Sequence, residues 1–294
     1  MNMTVVKRTA VAVAMACALL LVYGVAVEPR LVLDEREITA ELPGLDAAWE
    51  GEQVAVFSDL QTGMWLANTG MVERVVDRVV EAGPAAVLLV GDFVYGRTPE
   101  VSQQVRNVVE LLRPIPAAGI PAFAVLGNHD YAVGAADELT AALEELGVEV
   151  LLNEAVAVPS DTAKADEPLY VVGLGPTRPD LVDVDAALDG VPDTAARITM
   201  LHNPTSFPRL PGGSAPLALA GHTHCGQIAL PGTQRWSYLG LNEEEEVVAD
   251  GYAPADYGAD GNELFVTCGI GFSLVPVRIN APPQLVLVEL ARPD

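Results

Sequence analysis

The chain contains four histidines, His129, His202, His222 and His224, and each stands where a short apolar run gives way to a turn. Two of them fall in LALAGHTHCGQI, two positions apart between glycines, a step that in an extended segment turns both rings to one face. The ends of other apolar runs carry Asp59 in AVFSDLQ, Asp92 in AVLLVGD, and Asn128, His129 and Asp130 in AFAVLGNHD. Three carboxylates, a carboxamide and four imidazoles in one crevice are costly without partners, at roughly 2–7 kcal/mol for each unpaired polar group. Divalent cations remove that cost. A mixed nitrogen and oxygen donor set without clear thiolate suits borderline or hard ions such as Mn, Fe or Zn and disfavours an iron–sulfur cluster. Taken singly the residues have plainer readings, Asp59 as a helix N-cap and GD or GNHD as turn chemistry, so the weight lies on their conjunction.

Positioning these groups together needs strands that end side by side. The runs AVFSD, AVLLVGD and AFAVLGNHD are separated by helical-period segments near 69–82 and 99–113, with a third helix near 135–147. That βαβα order predicts a sheet that begins parallel, and ligand sites in open α/β sheets lie beyond the carboxyl ends of the strands. The second half is strand-dense, with LYVVGLG, RITMLHNP, LALAGHTH, ELFVTCGIG and QLVLVEL and few helices between them.

Composition sets the bounds. Half of the 294 residues are hydrophobic, enough for a well-buried core. Forty acidic residues against sixteen basic ones give a net charge of -24, a field that repels nucleic acid. The only lysines are Lys7 and Lys164, as in a salt-rich milieu or a GC-biased genome. Three cysteines, Cys17, Cys225 and Cys268, give no disulfide framework of the kind small secreted domains use; Cys17 lies in the N-terminal apolar run, so at most one pair remains, and Cys225 reads as a small buried thiol in preference to a soft ligand. From Thr9 to Val27 no charge interrupts nineteen residues, the length of a membrane-crossing helix, preceded by Lys7 and Arg8. The positive flank predicts a cytoplasmic N-terminus and an extracytoplasmic remainder, an anchor rather than a signal peptide cleaved after Gly24-Val25-Ala26. Residues 28–50 read as a short linker into a first edge strand, and the acidic run 243–246 as a solvated loop.

The ordered motifs resemble the calcineurin-like metallophosphoesterase superfamily, whose pattern is D-x-H, G-D, G-N-H-D/E, a lone H and G-H-x-H. Here these stand as Asp59 to Gln61, Gly91-Asp92, Gly127 to Asp130, His202, and Gly221 to His224, over about residues 50–290. The layout is similar to membrane-anchored prokaryotic members. The resemblance implies residues 1–28 as anchor or signal segment, 29–50 as linker and first edge strand, and 51–294 as the metallophosphoesterase domain. That domain is expected to be an α/β four-layer α/β/β/α sandwich of two mixed sheets with a dinuclear metal site. Asp59, Asp92 and His224 are implied as ligands of one divalent ion, and Asp92, Asn128, His202 and His222 of a second, with Mn preferred and Fe, Zn or Mg as alternatives. A water activated between the ions is implied as nucleophile, with His129 facing the scissile oxygens and Asp130 fixing the His129 tautomer.

The family's first motif usually ends in histidine, and this chain has Gln61 there. A carbonyl donates more weakly than imidazole, so the first site is expected to bind metal loosely or stand empty. Tyr95 also replaces a frequent acidic residue. The expected activity is hydrolysis of a phosphodiester, phosphomonoester or lipid pyrophosphate near the bilayer, and the alternative is a non-catalytic or single-metal binder of phosphorylated ligands. Arg178, Arg235 and Arg278 are candidate phosphate contacts, and Trp236, Tyr238 and Tyr252 could cap the crevice, although surface and packing roles are the plainer readings.

Overall fold

The computed structural model describes residues 3–96, 101–159, 165–230, 233–237 and 250–293, with only the backbone of 233–236. Lys164, Tyr238, the acidic run 243–246 and the side chains of Arg235 and Trp236 therefore lie outside the described residues.

Two six-stranded sheets carry the fold. The first holds β1 (Asp34–Glu41), β2 (Gln53–Phe57), β3 (Ala86–Val90), β4 (Ala122–Val125), β5 (Val148–Val150) and β14 (Gln284–Ala291), in the order β1-β14-β2-β3-β4-β5. The second holds β6 (Glu154–Ala157), β7 (Tyr170–Gly173), β8 (Arg197–Leu201), β9 (Ala218–Ala220), β12 (Gly251–Tyr252) and β13 (Leu264–Val266), in the order β12-β13-β9-β8-β7-β6. β10 (Ala229–Leu230) and β11 (Thr233–Ser237) form a separate ribbon. Both large sheets are mixed. β2 to β5 run parallel while β14 opposes β2, and β7, β8, β9 and β13 run parallel while β6 and β12 oppose their neighbours.

The helices are α1 (Met3–Val22), α2 (Glu28–Leu31), α3 (Thr69–Ala82), α4 (Val101–Leu112), α5 (Pro114–Ala117), α6 (Asn128–Ala132), α7 (Ala136–Leu146) and α8 (Val184–Leu188). Side-chain alternation along the buried strands decides the layering. Ala55, Phe57, Val87 and Leu89 face α3, α4 and α7, where Val72, Val75, Val108 and Leu143 complete a core. Their sequence neighbours Val54, Val56, Ala86 and Leu88 face the second sheet and meet Val171, Ile198, Met200 and Phe265. The outer face of that sheet, with Val172, Leu201 and Val266, is covered by Ala187 of α8 and by Phe207 and Leu210. The result is the expected α/β/β/α sandwich. It leaves the carboxyl ends of β2, β3, β4, β8 and β9 at one rim.

α1 has no buried residue and continues through a π turn, Tyr23–Val27, into α2. Met3–Leu31 is, among the described residues, the one helical stretch long and apolar enough to cross a membrane. The last turn of that stretch is tied to the body of the domain. Glu28 is buried and its carboxylate accepts the backbone N–H groups of Asn280 (2.9 Å) and Ala281 (2.8 Å). Arg30 donates to the Ala67 carbonyl and to Asn68 Oδ1. Both partners lie far away in sequence, which hides this docking from local pattern.

Candidate metal centre

Asp92 sits at the middle of the site. Its turn follows β3, and Gly91 ahead of it has φ +88°, where a Cβ would stand 2.6 Å from His202 Nδ1 and 2.9 Å from the Gly127 nitrogen. Only glycine fits there. Asp92 Oδ1 accepts the His129 backbone N–H at 2.9 Å, and Oδ2 accepts Gln61 Nε2 at 2.9 Å and lies 3.2 Å from His202 Nε2. Asp92, His202 and His222 offer ligand atoms all within 4.8 Å of one another. Asp59, after β2, accepts Ser58 Oγ and the His222 backbone N–H (3.1 Å) on Oδ2, while its Oδ1 lies 3.4 Å from His224 Nε2.

Backbone strain concentrates on the same residues. Asp59 (φ +55°), Gln61 (+50°), Asp92 (+58°), His222 (+71°) and His224 (+48°) all occupy the left-handed region. That costs an L-residue about 1–2 kcal/mol each and persists where the surroundings over-determine it, characteristically at functional sites.

The donor set fits divalent cations. Asp59 Oδ1 and Gln61 Oε1 are buried acceptors without a hydrogen-bond partner, beside the Asp92–His202–His222 cluster. The two halves of the site are wired differently. His202 Nδ1 lies 2.8 Å from the Val90 carbonyl, which can only accept, so Nδ1 carries a proton and Nε2 is the atom turned to Asp92. Burial disfavours the charged ring, but Asp92 outweighs it and pushes the His202 pKa up to about 10, so holding a cation requires the Nε2 proton to leave. Burial likewise opposes charge on Asp92, yet His202, with His129 and His222, holds its carboxyl well below the usual range.

His224 has the opposite arrangement. Its Nδ1 lies 3.2 Å from Arg278 Nη2, which can only donate, so the neutral ring carries its proton on Nε2, the atom facing Asp59. Burial first, and then Arg278, depress the His224 pKa well below the ordinary value. Burial raises that of Asp59. Arg278 is thus neither a phosphate contact nor a surface residue. It is fully buried, donates to the carbonyls of Gly271, Ala281 and Cys268, and has its pKa lowered by burial to about 10.

Two further expectations are corrected. Asp130 does not orient the His129 ring; its carboxylate accepts the backbone N–H groups of Asp92, Phe93, Val94 and Gly127, pinning the GD and GNHD turns together. Burial, followed by the nearby Asp92 charge, pushes its pKa up to about 7. Cys225 is not a free thiol but is joined to Cys268 across 43 residues, which ties the segment after His224 to the end of β13. On a chain-entropy view a loop of that length contributes about 4 kcal/mol.

Asn128 opens α6, and its Oδ1 accepts Asn203 Nδ2 at 3.3 Å. Asn203 is fully buried and accepts the Thr177 N–H, so it braces the carboxamide, a role its place beside His202 could have suggested. His129 Nε2 stands 4.0 Å from Asp92 Oδ2, and its ring lies 4.8 Å from that of Tyr95. Arg178 is exposed beside Thr177. Tyr252 stacks edge-on against Phe265 at 5.3 Å, a packing role on the sheet edge.

A family model described as calcineurin-like phosphoesterase matches residues 53–226, from the start of β2 through the paired histidines. The chain belongs to this family. It is a phosphoric ester hydrolase whose family implies divalent metal ions. The chain is 28% identical over 214 residues to "Phosphodiesterase YaeI" of Escherichia coli (strain K12), covering 72% of each protein. It is 22% identical to "Uncharacterized metallophosphoesterase YkuE" of Bacillus subtilis (strain 168), covering 91% of this chain and 89% of the relative. It is 24% identical to a "Transmembrane protein with metallophosphoesterase domain" of Bos taurus, covering 86% of this chain and 56% of the relative.

Proposed function

We propose that this calcineurin-like phosphoesterase is a membrane-anchored, metal-dependent phosphodiesterase working on the outer face of the cytoplasmic membrane. The observation that carries the reading is the Asp92–His202–His222 cluster with the unpartnered buried oxygens of Asp59 and Gln61 beside it. A diester substrate is supported by similarity to a protein named a phosphodiesterase. The outward placement is supported by Lys7 and Arg8 ahead of α1 and by the Cys225–Cys268 disulfide, since disulfides persist in oxidising compartments.

His202, His222, Asp92 and Asn128 would hold one ion, and Asp59, Gln61, Asp92 and His224 a second. When bound, two ions grip the phosphoryl oxygens and lower the pKa of the attacking water. The chain's own residues do the rest. Asp130 keeps the two turns in register so that Asp92 and His129 face the same space. His129 donates a proton to the departing oxygen from a ring that is partly open to solvent and steadied by Tyr95. Asn203 and the Val90 carbonyl orient Asn128 and His202.

The His202–His222 side would hold its ion tightly and the Asp59–Gln61 side weakly, because Gln61 donates less than imidazole and His224 meets Arg278 through Nδ1. The experiment is a metal count and a Mn titration of bis(p-nitrophenyl) phosphate hydrolysis for the wild type and Gln61→His. The wild type retains one ion per chain after dialysis and needs added Mn for full turnover. Gln61→His reaches full turnover at about tenfold lower Mn, the scale on which ligand surroundings alter affinity. A wild type that retains two ions, or holds one and hydrolyses neither diester nor monoester at any Mn concentration, refutes this reading; the second result makes the crevice a phosphoryl-binding site instead.

A further inference from the structure

The loops that leave the metal centre also hold the root of α1. From Gln61 the chain runs through Gly63-Met64-Trp65-Leu66-Ala67, whose Leu66 and Ala67 carbonyls accept Arg30. From Gly271, whose N–H donates to the Asp59 carbonyl at 2.6 Å, it runs through Phe272-Ser273-Leu274 to Val277 and Ile279, against which Gly24 packs so closely that a Cβ would fall 2.6–2.9 Å from their side chains. Arg30 also lies over the Phe272 ring, 5.2 Å from its centre. The membrane-crossing stretch therefore enters the domain between two loops that each begin at an Asp59-side residue of the site.

Those loops expose large apolar side chains. Trp65 is 64% exposed, Leu66 55% and Leu274 47%, and Leu31, at the end of the same helical stretch, is 65%. Leu66 (φ +56°) and Leu274 (φ +62°) are exposed leucines in the left-handed conformation, where glycine or asparagine is at home. Neither backbone nor burial favours leucine at such positions. Charge points the same way. The chain averages one carboxylate in about seven residues (40 in 294), yet none occurs from Leu60 to Val72 or from Leu264 to Val288. In a protein of net charge -24, these loops present the bilayer with no like-charged phosphate-repelling groups of their own. Tryptophan and leucine around the exit of a spanning helix match the composition of the membrane–water interface.

We propose that Trp65, Leu66 and Leu274 form an apolar collar around the root of α1 that lies in the bilayer interface and seats the metal crevice against the leaflet, so that the substrate is a phosphodiester carried on a lipid headgroup. This rests on the hydrolase reading above and on α1 spanning the membrane, and it deepens both.

Two measurements on the full chain in phosphatidylcholine vesicles separate the possibilities. In the first, brominated acyl chains quench tryptophan fluorescence in a chain that keeps Trp65, and Trp65→Phe removes that quenching. Trp49 is buried, and both proteins carry Trp236→Phe, so that the quenching reports on Trp65. Equal quenching in both proteins overturns the collar. In the second, Leu66→Asn with Leu274→Asn removes the apolar surface with a residue that tolerates positive φ. The expected result is a KM for a vesicle-borne p-nitrophenyl phosphodiester raised at least about tenfold, the scale for burying two leucines, with hydrolysis of soluble bis(p-nitrophenyl) phosphate unchanged. Loss of both activities together, or of neither, overturns the proposal. Absence of hydrolysis of both esters by the wild type would refute the hydrolase reading and with it the lipid substrate, while the quenching experiment still decides the collar.

Discussion

Asp92→Asn abolishes Mn-supported phosphodiester hydrolysis, a loss of at least about a thousandfold, and takes the tightly held ion with it. The substitution is nearly isosteric, so its effect is electrostatic. Asp92 Oδ2 lies 3.2 Å from His202 Nε2 and accepts Gln61 Nε2, and Oδ1 holds the His129 backbone N–H. Removing its charge leaves the buried His202 without its counter-ion, and the ring's pKa falls from about 10 toward or below the ordinary value. The carboxamide can still accept the His129 N–H, so the turn survives. Metal content and turnover measured on the same folded sample check the result. A variant that keeps its ion and more than about a tenth of its turnover removes Asp92 from the centre of the site.

His129→Ala lowers turnover of an alkyl phosphodiester by about a hundredfold to ten-thousandfold while metal content stays at the wild-type level. The His129 ring stands off the cluster, which meets this residue through its backbone N–H: Nε2 is 4.0 Å from Asp92 Oδ2, and the ring lies 4.8 Å from that of Tyr95. If the ring protonates the departing oxygen, the loss depends on the leaving group. It is largest for an alkyl diester, whose alkoxide needs the proton, and small for p-nitrophenyl esters, whose phenolate does not. Equal losses for both esters would assign His129 to positioning the phosphoryl group instead, and loss of metal would make it a ligand.

Much of this molecule was legible because its signals are local. Val54, Val56 and Ala55, Phe57 alternate on one short strand, and the same period along β3 places two faces in two cores. Asp59, Asp92, Asn128, His202 and the paired histidines stand out because polar residues at the ends of buried strands demand a reason. What remained hidden depends on partners distant in sequence. Arg278 meets His224 across 54 residues, Glu28 meets Ala281 across 253, and Cys225 meets Cys268 across 43. No spacing rule reports such pairs. Asp130 shows a different limit. Its neighbour in sequence is His129, but the side chain is buried where the GD and GNHD turns expose unpaired N–H groups, and four backbone donors outcompete one imidazole. The left-handed backbone at Gln61 was equally invisible, since glutamine does not favour it.

These observations bear on whether Gln61 silences the enzyme. The glutamine is buried, bonded through Nε2 to Asp92, and turns an unpartnered carbonyl oxygen into the site. A degenerate position would more readily have filled with an apolar side chain. The amide instead keeps a buried, unpartnered oxygen next to Asp92, as the proposed weaker site requires.

The most direct test is the Mn dependence of bis(p-nitrophenyl) phosphate hydrolysis by the metal-stripped full chain, with His222→Ala in parallel. The expected result is no turnover after stripping, saturable recovery with Mn in the wild type, and no recovery in the variant. A folded wild type that binds Mn yet stays inactive, or turnover that is indifferent to stripping and to loss of His222, would contradict the account.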